Sequence, residues 1–97
     1  MVACRVSIPP HVAAVITHLA PAIKSDVKAA LRVLSTDPHA GEPLQRELKG
    51  LWKYRARSFR IVYQIVHERR VIRVMAVGHR HSVYDLVREH RVLGATS

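Results

Sequence analysis

The sequence predicts an α+β fold in which an N-terminal helical hairpin packs on one face of a small, mainly antiparallel sheet. Three observations support this prediction. A short alternating segment opens the chain, apolar residues then recur at helical spacing to about residue 35, and from residue 51 they alternate with a period of two. The expected order is β-α-α-β-β-β with a short C-terminal helix, and the length of 97 residues predicts a single domain spanning 1–97.

The first half of the chain predicts one strand and two helices. Val2 to Ile8 alternates apolar and polar residues, and Pro9-Pro10 ends that strand while Pro10 suits the first turn of a helix to about Leu19. A second helix is expected from Pro21 to Ser35, with its apolar stripe at Ile23, Val27, Ala30, Leu31 and Leu34. The tight connection between the helices indicates an antiparallel hairpin. Asp37-Pro38 and Gly41-Glu42-Pro43 predict a loop after it.

The second half predicts three strands, at about 51–57, 59–67 and 71–77, with a turn at Glu68-Arg69-Arg70. Gly78 should end the last strand. A short helix is expected from Ser82 to Arg91, because Ser82 can cap its N-terminus and Asp85 lies in its first turn.

The segment from Leu48 to Ile65 interleaves cations with apolar and aromatic residues at a period of two. Because alternate side chains of a strand point to opposite faces, one face of the first strand should be cationic and the other apolar. The cationic face would hold Lys53, Arg55 and Arg57, and the apolar face Trp52, Tyr54 and Ala56. The next strand would continue the apolar stripe and project Arg60 from the opposite side; that stripe is Phe59, Ile61, Tyr63 and Ile65.

The net charge of +9 is concentrated in the second half of the chain. Before residue 46 the chain has four cationic and three acidic residues, whereas from Arg46 onward it has twelve cationic and four acidic residues. This asymmetry predicts a polyanionic partner, either nucleic acid or an acidic protein. Arginine outnumbers lysine twelve to four, which favours phosphate, since the guanidinium binds phosphate bidentately.

The remaining composition limits the class of protein. The single cysteine, Cys4, cannot form an intramolecular disulfide, and neither a secretory signal nor a membrane span is visible, so we expect a cytoplasmic protein that does not enter a membrane. The seven histidines have no metal-ligand spacing, and no P-loop, dinucleotide motif or nucleophile elbow is present. We therefore expect neither a metal nor a cofactor.

The candidate site is a metal-free cluster at the strand ends, comprising Lys53, Arg55, Arg60, Arg80 and Tyr84. Such a cluster suits RNA cleavage by the adjacent 2′-OH, which needs a base, a stabiliser of phosphorane charge and an acid for the 5′ oxygen. Lys53 is a candidate base because it is crowded by arginines, His79 and His81 are possible acid/base groups, and Tyr84 offers a stacking ring. Further RNA-binding cations are expected at Lys49, Arg57 and Arg73.

Three ordered motifs carry a resemblance to a known family: P-L-x-x-x-L-K-G-L-W-K-Y-R, then F-R-I-V-Y-Q-I, then V-x-V-M-A-V-G-H-R-H-S-V-Y. Together they resemble the RelE/ParE superfamily of type II toxin–antitoxin toxins, closest to the RelE-like mRNA interferases. The resemblance implies cleavage of mRNA in the ribosomal A site, inhibition of translation and neutralisation by a cognate antitoxin, which we expect to be acidic. It places the catalytic positions on Lys53, Arg55, Arg60, Arg80 and Tyr84, with Arg55 standing where the family has a second lysine.

Two other functions stay open on sequence grounds. One is a ParE-like inhibitor of DNA gyrase that cuts no RNA, and the other is a member that only binds antitoxin or RNA, because a shared fold does not determine function. The basic and aromatic set around Arg60 favours the endoribonuclease.

Overall fold

The computed structural model describes residues 4–79 and 82–88, which form an α+β fold with three helices packed on a mixed five-stranded sheet. The strands are β1 (Arg5–Ser7), β2 (Glu42–Pro43), β3 (Trp52–Ala56), β4 (Phe59–Val66) and β5 (Val71–His79). The helices are α1 (Pro10–Thr17), α2 (Pro21–Thr36) and α3 (82–88). Three single turns of 3₁₀ helix connect these elements, at Pro38–Ala40, Arg46–Leu48 and His67–Arg69.

The two N-terminal helices begin at prolines and bury one apolar stripe each. Pro10 and Pro21 occupy the first helical turn, where the missing N–H costs no intrahelical hydrogen bond. The buried residues of α1 are Val12 and Ile16, and those of α2 are Val27, Ala30, Leu31 and Leu34. The stripe predicted for α2 is therefore confirmed, although Ile23 is only partly buried. Asp37, which precedes Pro38, leaves the helical conformation and ends α2.

The sheet has the strand order β1-β5-β4-β3-β2. The strands β2, β3, β4 and β5 pair antiparallel with their neighbours, whereas β1 pairs parallel with β5. The predicted, mainly antiparallel sheet is thus confirmed. The strand β2 was not expected, because a two-residue strand containing Pro43 lacks any alternating pattern.

The helical hairpin covers one face of the sheet, and the apolar stripes of β3 and β4 point toward it. Trp52, Tyr54 and Ala56 contact this core together with Phe59, Ile61, Tyr63 and Ile65. Both stripes lie where alternation predicted them.

The helix α3 packs on the opposite face of the sheet. Val83 and Val87 join a second buried cluster with Val62, Ala76, Leu48 and Leu51. The predicted C-terminal helix therefore exists, but it lies on the other side of the sheet from the helical hairpin. Its predicted last residues, 89–91, fall outside the described part of the chain.

The predicted element bounds differ from the observed ones by a few residues, with two corrections that affect the site. The β5 strand continues past residue 77 to His79, and the register between β4 and β5 shifts between Val62 and Tyr63. Val62 pairs with Ala76 whereas Tyr63 pairs with Val74, so Met75 is the additional residue of a bulge in β5. The predicted strand at 51–57 ends at Ala56, because Arg57 has a φ of 57° and belongs to the turn.

Candidate functional site

Three of the predicted site residues share one sheet face, the one opposite the helical hairpin. Arg55 pairs with Arg60 across β3 and β4, and Arg60 pairs with Gly78 of β5. Lys53 lies two residues before Arg55 on the same face and pairs with Glu42 of β2. Cross-strand partners lie on the same face, so these side chains form one cationic surface.

This surface borders a groove of about 380 Å³. Lys53, Arg55 and Arg60 line one part of it, and the segment Ala40–Glu42 lines another. We call this the β2–β4 groove. It is open to solvent and carries three cations against one carboxylate among the described residues, so it can hold an anionic ligand.

The Arg60 guanidinium is held in position by the β3–β4 turn. Its Nη1 donates to the carbonyl oxygens of Arg57 and Phe59, each at 3.1 Å. Arg55 Nε donates to the same Arg57 carbonyl at 3.4 Å. The Arg60 side chain is half-buried, and in the described part of the chain its hydrogen bonds all leave from Nη1. The other guanidinium donors stay available for a phosphate.

Lys53 is paired with a residue that sequence reasoning placed in a loop. Its Nζ lies 3.8 Å from Glu42 Oε2, and the Glu42 side chain is 79% exposed while that of Lys53 is 36% exposed. An exposed pair of this kind contributes little to stability and exchanges readily. A phosphate entering the groove would therefore compete with Glu42 for the ammonium group.

Behind the groove, Tyr63 fixes the segment that leads into β2. Its fully buried hydroxyl donates to the carbonyl of Pro38 at 2.7 Å, and burial raises the pKa of Tyr63 to about 12. Gly41 passes so close that a Cβ there would overlap the Lys53 carbonyl and lie 2.5 Å from the Tyr63 hydroxyl. Only glycine fits this approach without displacement.

The three further cations predicted to bind RNA are not among the described residues that line the β2–β4 groove. Arg57 makes an ion pair with Asp26 of α2, so its side chain turns to the helical layer and leaves the predicted cationic face. Lys49 is exposed in the turn before β3, and Arg73 is exposed on β5, where it lines a different groove. Arg57 therefore does not share the cationic face with Lys53 as predicted, and the RNA-binding roles expected for Lys49, Arg57 and Arg73 stay predictions.

His79 lies on the opposite face of the sheet from Arg60. It pairs with Phe59, and the two rings are 4.4 Å apart at a tilt of 40°. The bulge at Met75 is the physical cause, because one additional residue reverses the alternation for the remainder of β5. The position does not support the predicted acid/base role of His79.

Tyr84 is half-buried on α3 and packs against the second cluster, on the same side of the sheet as Arg60. The helix is further held by Arg88, which donates from Nε to Glu47 at 2.9 Å and from Nη1 to Asp85 at 3.2 Å. The Arg80 and His81 predictions lie outside the described residues.

Residues 4–79 and 82–88 contain neither a metal-ligand cluster nor a membrane-spanning helix. No group of three or more His, Cys, Asp or Glu side chains in these residues could hold a metal ion. Within the same residues no helix is both long and apolar enough to cross a bilayer.

Comparison with known proteins identifies the class. The family model described as the ParE toxin of the type II toxin–antitoxin system parDE matches residues 8–84. The chain therefore belongs to the RelE/ParE family, and it is a toxin of the type II toxin–antitoxin class.

Particular relatives are found within that class. The chain is 36% identical over 59 residues to the toxin RelG of Mycobacterium tuberculosis, an alignment that covers 60% of this chain and 68% of RelG. It is similar to a chain of the toxin–antitoxin complex RelBE2 of the same organism, with a TM-score of 0.73, 32% identity and coverage of 82% and 94%. A mutant of Escherichia coli RelE in the free state shares the fold, with a TM-score of 0.74, 22% identity and coverage of 91% and 97%.

Proposed function

We propose that this toxin is a metal-independent, ribosome-dependent endoribonuclease that cleaves mRNA and so inhibits translation in the cytoplasm. The observation that carries the proposal is the β2–β4 groove, where Lys53, Arg55 and a pre-oriented Arg60 face one open cleft. The similarity to RelG supports it.

The proposed reaction is attack of an RNA 2′-oxygen on the adjacent phosphorus. The P–O5′ bond breaks and the leaving oxygen takes a proton from water in the open groove, which gives a 2′,3′-cyclic phosphate and a 5′-hydroxyl. Arg60 would bind the non-bridging oxygens and stabilise the additional negative charge, because its donors are already oriented by two carbonyls. Arg55 would add a second guanidinium from the neighbouring strand.

Lys53 would act as the general base that accepts the proton of the attacking 2′-hydroxyl, after RNA displaces Glu42 from Lys53. Tyr84, together with Arg80 as the sequence predicts, would complete the site by base stacking and phosphate binding. The proposal uses no protein-bound metal.

We also propose a cognate acidic antitoxin as the partner that holds the toxin inactive. The RelBE2 structure is a toxin–antitoxin complex, which supports such a partner for this chain. The charge of +9 supports an acidic segment in it.

The alternative function is inhibition of DNA gyrase without RNA cleavage. The observation that favours it is the match to a family model described as a ParE toxin. Primer extension on mRNA from translating cells after induction separates the two. Discrete in-frame cuts support the endoribonuclease, whereas intact mRNA with DNA damage supports the gyrase inhibitor.

A matched pair of variants makes this test specific to the groove. Arg60→Ala should abolish the cuts, while Arg32→Ala, which removes one exposed arginine from α2, should leave them unchanged. Wild-type cutting by folded Arg60→Ala protein would contradict the proposed mechanism.

A further inference from the structure

A second cationic groove lies at the other end of the sheet, between β1, β5 and the start of the β4–β5 connection. Its volume is about 330 Å³, and the polar side chains that line it are Arg5, Arg69, Arg73 and Ser7. We call it the β1–β5 groove. None of the described residues that line it is acidic.

The three arginines have no ion-pair partner among the residues that the structure describes. In residues 4–79 and 82–88, none of their guanidinium groups makes an ion pair or a side-chain hydrogen bond, whereas Arg57 and Arg88 both pair with acids. Three guanidinium groups brought together without a carboxylate repel one another. An anionic ligand would relieve that repulsion.

The β1–β5 groove shares its sheet face with the β2–β4 groove. Ser7 pairs with Arg73, Arg73 pairs with Gln64, and Gln64 lies on the same side of β4 as Arg60. Arg60 pairs with Gly78, five residues from Arg73 along β5, so the two arginines are roughly 15–20 Å apart at about 3.3 Å per residue and 4.8 Å per strand. The helix α3 packs on Val62 and Ala76 between the two grooves, so a polyanionic strand that joins them would pass around α3.

We propose that the β1–β5 groove binds the phosphodiester backbone of RNA away from the cleavage position. The inference rests on the proposed function, since it assigns this groove to the same RNA. Arginine forks and a serine hydroxyl suit phosphate oxygens, and both grooves open on the same face of the sheet, on either side of α3. An acidic protein could use the same charges, but the shared face with Arg60 favours RNA.

The first test measures RNA binding separately from cleavage. The full chain is titrated against a fluorescent, non-cleavable 2′-O-methyl RNA 12-mer at several salt concentrations. Arg5→Gln/Arg73→Gln should weaken binding about tenfold and reduce the salt slope by about 1.4, since each lost phosphate contact on a single strand contributes about 0.7.

The control is Lys28→Gln/Arg32→Gln, which removes the same charge from the exposed side of α2 on the other layer. It should change affinity less than twofold. Equal losses in both double variants would overturn the inference, because they would show only a general effect of net charge.

A conservative variant separates ligand binding from folding. Arg5→Lys/Arg73→Lys keeps both charges and should keep the salt slope. All these side chains are exposed, so thermal midpoints should stay within a few degrees of wild type. If the double glutamine variant melts early, the single Arg69→Gln, in the 3₁₀ turn, tests the groove with half the slope change.

The source of the phosphate is identified by repeating the titration with ribosomes. If Arg5→Gln/Arg73→Gln binds the 12-mer more weakly than wild type, the groove is assigned to the messenger. If the variant binds only ribosomes more weakly, the groove is assigned to ribosomal RNA. A parallel titration with poly-glutamate represents an acidic protein. Unchanged affinity for both the 12-mer and ribosomes, or weaker binding to poly-glutamate alone, would overturn the inference. RNA binding through this groove by a protein that cuts no RNA would contradict only the proposed function. RNA cleavage by the wild-type chain, with the same salt slope in wild type and Arg5→Gln/Arg73→Gln, would contradict only this inference.

Discussion

Replacing Gly41 by alanine should displace the segment that forms one side of the β2–β4 groove. The backbone at Gly41 is extended, with a φ of −82°, so alanine adopts the conformation without strain. The difficulty is space, because the new Cβ would overlap the Lys53 carbonyl and lie 2.5 Å from the Tyr63 hydroxyl. Neither neighbour can yield easily, since one is strand backbone and the other is a fully buried ring.

The expected cost follows from what must move. Overpacking of this kind costs about 1–3 kcal/mol, and loss of the hydrogen bond from Tyr63 to Pro38 adds about 1 kcal/mol. A total of roughly 3 kcal/mol would lower the melting temperature of a domain of this size by roughly 12–24 °C. Because domains are typically stable by about 5–15 kcal/mol, the variant should still fold at 25 °C.

Two further variants show whether the overlap is the cause. In the Tyr63→Phe background, Gly41→Ala should cost about 1 kcal/mol less, because one of its two close contacts is gone. Gly50→Ala has open space around the new Cβ, so its cost should come only from the φ of 98°. Calorimetry or circular dichroism melts would be measured on five purified proteins: wild type, Gly41→Ala, Tyr63→Phe, the double variant and Gly50→Ala. A midpoint for Gly41→Ala within about 3 °C of wild type would refute the close approach.

The other predictions concern Tyr63, Arg60 and Arg88. The pKa of Tyr63 lies at about 12 in the folded chain against 10.0 ordinarily, so its contribution to stability is complete below pH 10 and is lost as the pH rises through 12. Denaturant titrations should show wild type losing about 2 kcal/mol more than Tyr63→Phe between pH 9 and 12; parallel curves would contradict this. Arg60→Ala should lower the single-turnover cleavage rate on ribosomes at least a hundredfold with an unchanged melting midpoint. Arg60→Lys should recover only part of the lost rate, and full recovery would argue against a bidentate phosphate contact. Arg88→Ala removes the ion pairs to Glu47 and Asp85. Amide exchange in residues 82–88 should become faster while the β4 and β5 amides stay protected. Unchanged exchange in 82–88 would show that apolar packing alone holds α3.

Periodicity predicted the elements whose two faces differ in polarity. The stripes of β3, β4 and α2 are long enough to repeat their pattern several times, and each is buried on the side that the pattern indicated. The pairing of Arg55 with Arg60 was not predicted, because it depends on a two-residue turn at Arg57 and Ser58, whereas the predicted strands at 51–57 and 59–67 leave only Ser58 between them.

The features that escaped prediction are those in which a single residue changes the geometry. The bulge at Met75 moves His79 to the helical face, and nothing in V-I-R-V-M-A-V marks which residue is additional. The strand β2 is too short for a pattern, so Glu42 was not recognised as the partner of Lys53. Arg5 and Arg69 are far apart in sequence, and only the parallel pairing of β1 with β5 brings them to one groove.

The turn at Arg57 shows how a position that is unfavourable locally can serve the site. A left-handed arginine costs about 1–2 kcal/mol relative to an ordinary conformation, and glycine would avoid that cost. The arginine side chain makes the only ion pair that the described residues show for Asp26, whose Oδ2 is otherwise buried without a hydrogen-bond partner. The carbonyl of the same residue accepts from Arg55 and Arg60 on the opposite face. One turn residue thus joins the helical layer to the cationic face. Its backbone strain is offset by contacts on both sides of the sheet, and the Arg60 guanidinium is oriented before any anionic ligand enters the groove.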